Sequence, residues 1–366
     1  MGAKMMYRFG LLITFLLLAS SALGDAVCVP NTLISQVDYT TCIFDAADTV
    51  TQAGTTTYTN SSGTVIPLGA IANTKRCDYA WNGSTYVAKG WLVERAAQNV
   101  LLQSSTITTA PWSSTGSAVY NHATTAPDGT TAYSILTTSA GTNGKYQGFT
   151  SSAGQIYIWG VRVKKVSGTN PIIQIGNGAT DSYINTGGYP IAGGSQRGTA
   201  FFNLDTLAFT SRDNGVLYSD YISLGGGWYY VFVVAGTTIS STTYAYNIVT
   251  TAASEIAFWG NEVVPAQITN NSVSFPYPTG YSSAHIPTTT VAISRVADVP
   301  SNANWASYAL VVEMEDEQTM VISRKYYSVG TWTAPVGNWY RRICLYQPGV
   351  SEGYLKTQLT VGASCT

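Results

Sequence analysis

The sequence predicts an all-β protein: a jelly-roll β-sandwich with smaller β-rich regions before and after it. Three observations carry this. Short apolar runs alternate with turn signals, among them Pro127-Asp128-Gly129, Asp213-Asn214-Gly215, Gly225-Gly226-Gly227 and Asn82-Gly83. No long stretch keeps a helical period, and Val93 to Leu102, which alone has helix-forming composition, is brief. Tyr (25), Trp (9) and Thr tracts such as Thr288-Thr289-Thr290 supply the residues that suit a pleated, half-buried surface.

At the N-terminus, Lys4 and Arg8 precede the apolar run Phe9 to Leu18, and Ala22-Leu23-Gly24 puts small residues where a signal peptidase reads. Residues 1–24 are therefore expected to be a signal peptide, cut before Asp25, with the mature chain secreted, extracellular or on a virion surface. The run is shorter than the roughly 20 residues of a membrane span, and no later segment is a transmembrane candidate. Residues 25–90 form a Thr-rich β region, 91–299 the jelly roll, and 300–366 a small C-terminal β region after the linker-like Ile286-Pro287-Thr288-Thr289-Thr290.

Within the jelly roll, Tyr157, Trp159, Val161 and Val163 fall on one face of a strand, with Arg162 and Lys164 on the other, so one packed and one wet face are expected. The runs Trp228 to Val234 and Ile256 to Trp259 are apolar on both faces. They belong to central strands or to a subunit contact.

Five cysteines follow the cleavage point: Cys28, Cys42, Cys77, Cys344 and Cys365. None forms a Cys-x-x-Cys pair, and disulfides are the default in an exported chain. Two local bridges, Cys28 with Cys42 and Cys344 with Cys365, would staple both ends and leave Cys77 over, as a buried inert thiol or an intermolecular partner, among about fifteen such pairings that sequence permits.

Only 10% of residues are charged, against about a quarter in an average soluble protein. The formal charge is −1; without Lys4 and Arg8, 16 basic residues face 19 acidic ones, a charge of −3. With no clusters of Lys and Arg, a nucleic-acid partner is not expected. The two histidines, His122 and His285, lie in distant segments, which disfavours multi-His metal sites and most His-centred catalysis. Neither sits in a nucleophile-elbow context, and no catalytic residue is assigned.

The segment Gly90-Trp91-Leu92-Val93-Glu94-Arg95-Ala96-Ala97-Gln98-Asn99 with Trp112 and Ala126-Pro127-Asp128-Gly129 opens an ordered series. Gly154-Gln155-Ile156-Tyr157, Gly227-Trp228-Tyr229, Phe258-Trp259-Gly260, Ala284-His285-Ile286-Pro287 and Arg295-Val296-Ala297-Asp298 continue it. Together with the lead-in Lys75-Arg76-Cys77-Asp78-Tyr79, this series resembles the concanavalin-like, carbohydrate-binding-module-like jelly roll of bacteriophage tail-fibre and virion-decoration proteins, over roughly residues 75–300. The resemblance implies a binding or structural role, with trimers expected by analogy. Gly260-Asn261-Glu262-Val263-Val264 departs from that family's usual Gly-Ala-Gln-Leu-Glu, as does the export signal.

Sugar binding needs aromatic faces for the apolar side of a pyranose and planar polar groups for its hydroxyls. Candidates in Gly-, Asn- or Asp-rich loops are Tyr183, Asn185, Tyr189, Tyr218, Asp220, Tyr221, Tyr277 and Tyr281. The acidic run Glu313, Glu315, Asp316 and Glu317 could hold a structural Ca²⁺, but a solvated turn is the preferred reading; no other cofactor or metal is expected. Sequons at Asn60, Asn82 and Asn270 mark exposed loops. These features lead to a non-enzymatic surface protein of the tail-fibre or adhesin type that binds cell-surface or environmental glycans. The alternative is a self-assembling subunit of an extracellular filament or layer, and either would be a homo-oligomer, trimer or filament.

Overall fold

Alternation along Ile156–Ser167 sends Tyr157, Trp159, Val161 and Val163 into a shared core. In the computed structural model the described residues are 33–44, 46, 48–51, 56–68, 74–94, 96–116, 119–177, 198–237, 242–265, 285–295, 298–302, 309–316, 322–327 and 338–346. Among them are 24 strands and a single 3₁₀ turn at Tyr39–Thr41. The chain is an all-β sandwich.

Two six-stranded antiparallel sheets form it. The first runs Val216–Gly225, Trp228–Gly236, Ile156–Ser167, Ser254–Pro265, Thr131–Thr137, Val119–Thr125. The second runs Ala208–Arg212, Gly198–Asn203, Ile172–Asn177, Thr242–Val249, Asn143–Thr150, Ser113–Thr115. The chain crosses repeatedly between them, as in a jelly roll. Val231, Val233, Ile256 and Phe258 of the first meet Ile173, Ile175, Phe202 and Val249 of the second. Each such side chain, fully buried, contributes about 1.5–3 kcal/mol.

The second face of the central strands is buried as well, which corrects the expectation of a wet face. Ile156, Ile158, Tyr230, Phe232 and Val234 form a separate apolar cluster there, and Arg162 is buried beside it. Its guanidinium lies 4.9 Å from the Tyr230 ring and 5.6 Å from Trp259, and donates to the Gly260 carbonyl at 2.9 Å. A charge can be buried at a strand centre when rings, a carbonyl and a carboxylate receive it.

A bulge makes that arrangement possible. Arg162 pairs with Trp259 and Gly160 with Glu262, so one residue on the first strand faces two, Gly260 and Asn261, on the other. Gly260 takes φ +62, and the extra residue lets Phe258 and Val263 both face the core while Trp259 and Glu262 both flank Arg162.

A third sheet draws strands from both ends of the chain: Ile322–Tyr327, Ala309–Asp316, Asn338–Tyr346, Tyr86–Val93 and Cys77–Trp81, in that order. Leu33–Asp38 pairs with Asn338–Tyr346 beyond the point where Trp91 to Val93 end their own pairing with it. Cys42 is disulfide-bonded to Cys77, Cα atoms 5.4 Å apart. This corrects the local pairing of Cys42 with Cys28: the strand Cys77–Trp81 comes back beside the 3₁₀ turn, so spatial proximity overrides sequence spacing. Cys28 and Cys365, and the side chain of Cys344, lie outside the described residues.

Where this sheet meets the sandwich, four charged side chains are buried together. Arg76 pairs with both Glu94 and Asp298, and Arg295 Nη1 lies 2.5 Å from the second oxygen of Glu94. Thr56 Oγ1 donates to Glu94 and the Glu94 amide to Asp298 Oδ2, each at 2.8 Å. Burial, reinforced by the Glu94 carboxylate and opposed by Arg76, pushes the Asp298 carboxyl up to about 6.

Two outcomes follow. Arg76→Ala leaves the two carboxylates without their shared partner and should cost about 3–5 kcal/mol in urea unfolding. For Asp298 the unfolded carboxyl titrates near 3.8 and the folded one near 6. Its stabilising contribution is thus present at low pH and is lost as pH rises through 6. The stability advantage of wild type over Asp298→Asn should shrink between pH 4.5 and pH 7, and a constant difference would contradict the assignment.

Candidate functional site

The described residues enclose a cleft of about 380 Å³, within the range of about 300–1,000 Å³ usual for small-ligand sites. It lies between the hairpin Cys77–Trp81/Tyr86–Val93, the ribbon Thr56–Thr59/Val65–Leu68, and the first sheet at Arg162, Lys164 and the turn Gly225–Gly226. Four aromatic side chains stand in its walls: Tyr79, Trp81, Tyr86 and Trp228.

Each is placed by a local cause. Trp81 and Tyr86 flank the Asn82-Gly83 turn, where Asn82 Oδ1 accepts from the Ser84 and Thr85 amides at 3.0 and 2.9 Å. Pairing across the turn sets their rings edge to face, centroids 5.1 Å apart. Tyr86 then lies between two glycines: a Cβ at Gly63 or at Gly225 would overlap it, and both take positive φ, +80 and +81. Its hydroxyl donates to the Leu224 carbonyl, and burial pushes its pKa up. Trp228 packs over Val65, Ala126 and Ala257. The disulfide anchors the base of the hairpin, with the Tyr79 hydroxyl 3.3 Å from Cys42 Sγ.

A second constellation lies beneath the cleft. Ser104 Oγ is 3.2 Å from His285 Nε2, and His285 Nδ1 is 3.4 Å from Glu262 Oε2. Glu262 accepts from Nδ1–H, which leaves Nε2 to accept the Ser104 hydroxyl proton. The order serine, histidine, carboxylate is that of a nucleophile relay. Both Ser104 and His285 are 0% exposed, however, and Ser104 Oγ already accepts the Thr288 amide at 2.9 Å. The relay therefore clasps residues 285–288 to the loop at Ser104, and Asn261, from the strand Ser254–Pro265, holds the same loop by donating its side-chain amide to the Ser104 carbonyl at 3.1 Å. The Gly260-Asn261-Glu262 departure thus supplies the polar contacts at that position.

Burial holds the His285 pKa below 6.5, against the pull of Glu262. Burial also opposes ionisation of Glu262, but the Arg162 charge and His285 override it and hold that carboxyl below the usual range.

The tyrosines expected to bind sugar distribute differently. Tyr183, Asn185, Tyr189, Tyr277 and Tyr281 lie outside the described residues. Tyr218, Asp220 and Tyr221 lie in the strand Val216–Gly225 rather than in a loop. Tyr218 donates to Asp220 Oδ2 at 2.7 Å, and Tyr221 packs on the Phe202 ring at 5.1 Å, against the core. None of the three lines the cleft, although the same strand ends in its wall at Ile222 to Gly225. Of the acidic run, backbone pairing sets Glu313 between Arg324 and Arg342, and Glu317 lies outside the described residues. Sequence reasoning missed Trp81 and Tyr86; the signal available was the Asn-Gly turn with an aromatic residue on each arm.

Comparison with protein-family models and with curated proteins finds no match.

Removing the imidazole should cost about 1–3 kcal/mol, by leaving buried polar partners unsatisfied. The sign with pH opposes that of Asp298. Below pH 6.5 the unfolded histidine takes up a proton that the folded one resists, so this contribution is lost as pH falls. Urea unfolding of His285→Gln should show the loss from pH 7.5 to 5.5 reduced relative to wild type. Gly225→Ala should displace Tyr86 and lower the melting temperature, with altered tryptophan fluorescence reporting the change at Trp81.

Proposed function

We propose that the protein is a glycan-binding surface protein of the tail-fibre or adhesin type, with the cleft beside Trp81 as its sugar site. One observation carries the proposal: a concave site with four aromatic side chains in its walls and hydroxyl-bearing residues set among its aliphatic lining. Aromatic faces receive the C–H face of a pyranose, and Thr59, Thr125 and Ser223 offer hydroxyls to its ring substituents. The rings stand on paired strands and are fixed by glycine contacts, so little conformational entropy is lost on binding.

The self-assembling subunit is the weaker alternative. One of its motives, strands apolar on both faces, is met within one chain: Val231 and Val233 enter the sandwich core, while Phe232 and Val234 are buried in the second cluster. Secretion and a homo-oligomeric state remain part of the proposal, on the strength of the N-terminal run and the tail-fibre resemblance.

The test is glycan-array screening of the chain from Asp25 onward, followed by calorimetry on the hits. Trp81→Ala should weaken binding by about 30-fold or more, the effect of a central aromatic anchor, while leaving the melting temperature within a few degrees of wild type. Full affinity in a folded Trp81→Ala variant would remove the cleft from consideration.

A further inference from the structure

Two strands meet the cleft edge-on. Side chains on one face of a strand recur at every second position, yet every residue from Asp78 to Trp81 lines the cleft, and so does every residue from Ile222 to Gly225 on the opposite wall. Arg162 and Lys164 of the strand Ile156–Ser167 line it two positions apart, as one face of a strand does. The floor is thus a sheet face and the two walls are backbone edges. Topology agrees: among the described residues Cys77–Trp81 ends the third sheet and Val216–Gly225 ends the first, each paired on one side alone.

The Asn82-Gly83 turn decides which groups the first edge presents. The Asn82 amide donates to the Thr85 carbonyl at 3.0 Å, so these two residues form a hydrogen-bonded pair. Such pairs alternate with non-hydrogen-bonded ones along an antiparallel ladder. Trp81 opposite Tyr86 and Tyr79 opposite Ala88 are therefore of the second kind, and Trp81 and Tyr79 turn their backbone N–H and C=O away from the hairpin partner, along the cleft wall. On the facing edge the Leu224 carbonyl is already taken by the Tyr86 hydroxyl. An aliphatic patch adjoins: Val65 and Ala126, packed with Trp228, and Pro127 beside them.

A sugar hydroxyl meets a strand edge through a single oxygen. An acetamido substituent carries an N–H, a C=O and a methyl group, so it can pair with the edge as the peptide units of an added strand do, and seat its methyl on apolar surface. We propose that the cleft takes a saccharide bearing an acetamido group, an N-acetylhexosamine, with its ring against Trp81, its amide on the backbone of Tyr79 and Trp81, and its methyl on Val65 and Ala126. The proposal rests on the glycan-binding reading and names the ligand class for that site.

The test is calorimetry of the chain from Asp25 onward with two matched pairs of probes: chitotetraose against cellotetraose, and methyl N-acetylgalactosaminide against methyl galactoside. Within each pair only the acetamido group is exchanged for a hydroxyl. Saturation-transfer NMR on the acetylated probes reads the methyl directly, and Trp81→Ala, with its melting temperature, places the site. An acetylated probe bound about 30-fold or more tighter than its hydroxyl counterpart, with the strongest saturation at the methyl protons and binding weakened by Trp81→Ala, supports the proposal. Equal affinity within both pairs, or glycan-array hits that lack the acetamido group, overturns the acetamido assignment and leaves the sugar site standing. Selective binding of an acetylated probe that survives Trp81→Ala undiminished overturns its placement in the cleft. Absence of binding to all the probes and across the array overturns both readings.

Discussion

The buried ionic junction of Arg76, Glu94, Arg295 and Asp298 is the contact on which the rest of the molecule depends. Arg76 precedes the cleft-bearing hairpin, Glu94 follows it, and Arg295 and Asp298 come from the segment that closes the jelly roll. Four points separated by up to about two hundred residues are thus held at one locus. Ion pairs in a low-dielectric interior are poor sources of net stability, since desolvation offsets much of the attraction. What they supply is register. A misplaced hairpin would leave a guanidinium or a carboxylate buried without its partner, a far larger penalty than a misplaced leucine.

The junction, the disulfide and the cleft form one mechanical series. Cys77 ties the hairpin to the 3₁₀ turn on one side, and Arg76, its neighbour, ties it to the sandwich on the other. The hairpin tip, carrying Trp81 and Tyr86, then rests on the glycine turn that joins two strands of the first sheet. Both walls of the cleft therefore stand on rigid sheet. Its shape is built in before any ligand arrives.

The sandwich was legible in the sequence because period-two alternation and turn chemistry are local properties, written out in stretches such as Ile156 to Lys164. Arg162 shows where that reading fails. Alternation placed it opposite the core, but only the bulge at Gly260-Asn261 reveals that two rings and Glu262 enclose it. The Cys42–Cys77 bridge was hidden for a related reason: pairing by nearness in sequence cannot anticipate a strand that returns from 35 residues away. The cleft eluded the composition because tyrosines in Gly-rich text outnumber those that meet in space. Tyr221 sits against the core, while Tyr86, on the arm of an Asn-Gly turn, faces the cleft.

The strand pairing of Leu33–Asp38 with Asn338–Tyr346 sets an order of events during biosynthesis. About 300 residues must emerge before that ladder can close, and loop closure over such a span comes late. The jelly roll can collapse first from nearer neighbours, with the third sheet completed afterwards around it. The hairpin that carries Trp81 and Tyr86 belongs to that third sheet, so the cleft gains its full backing only after the sandwich beneath it has closed.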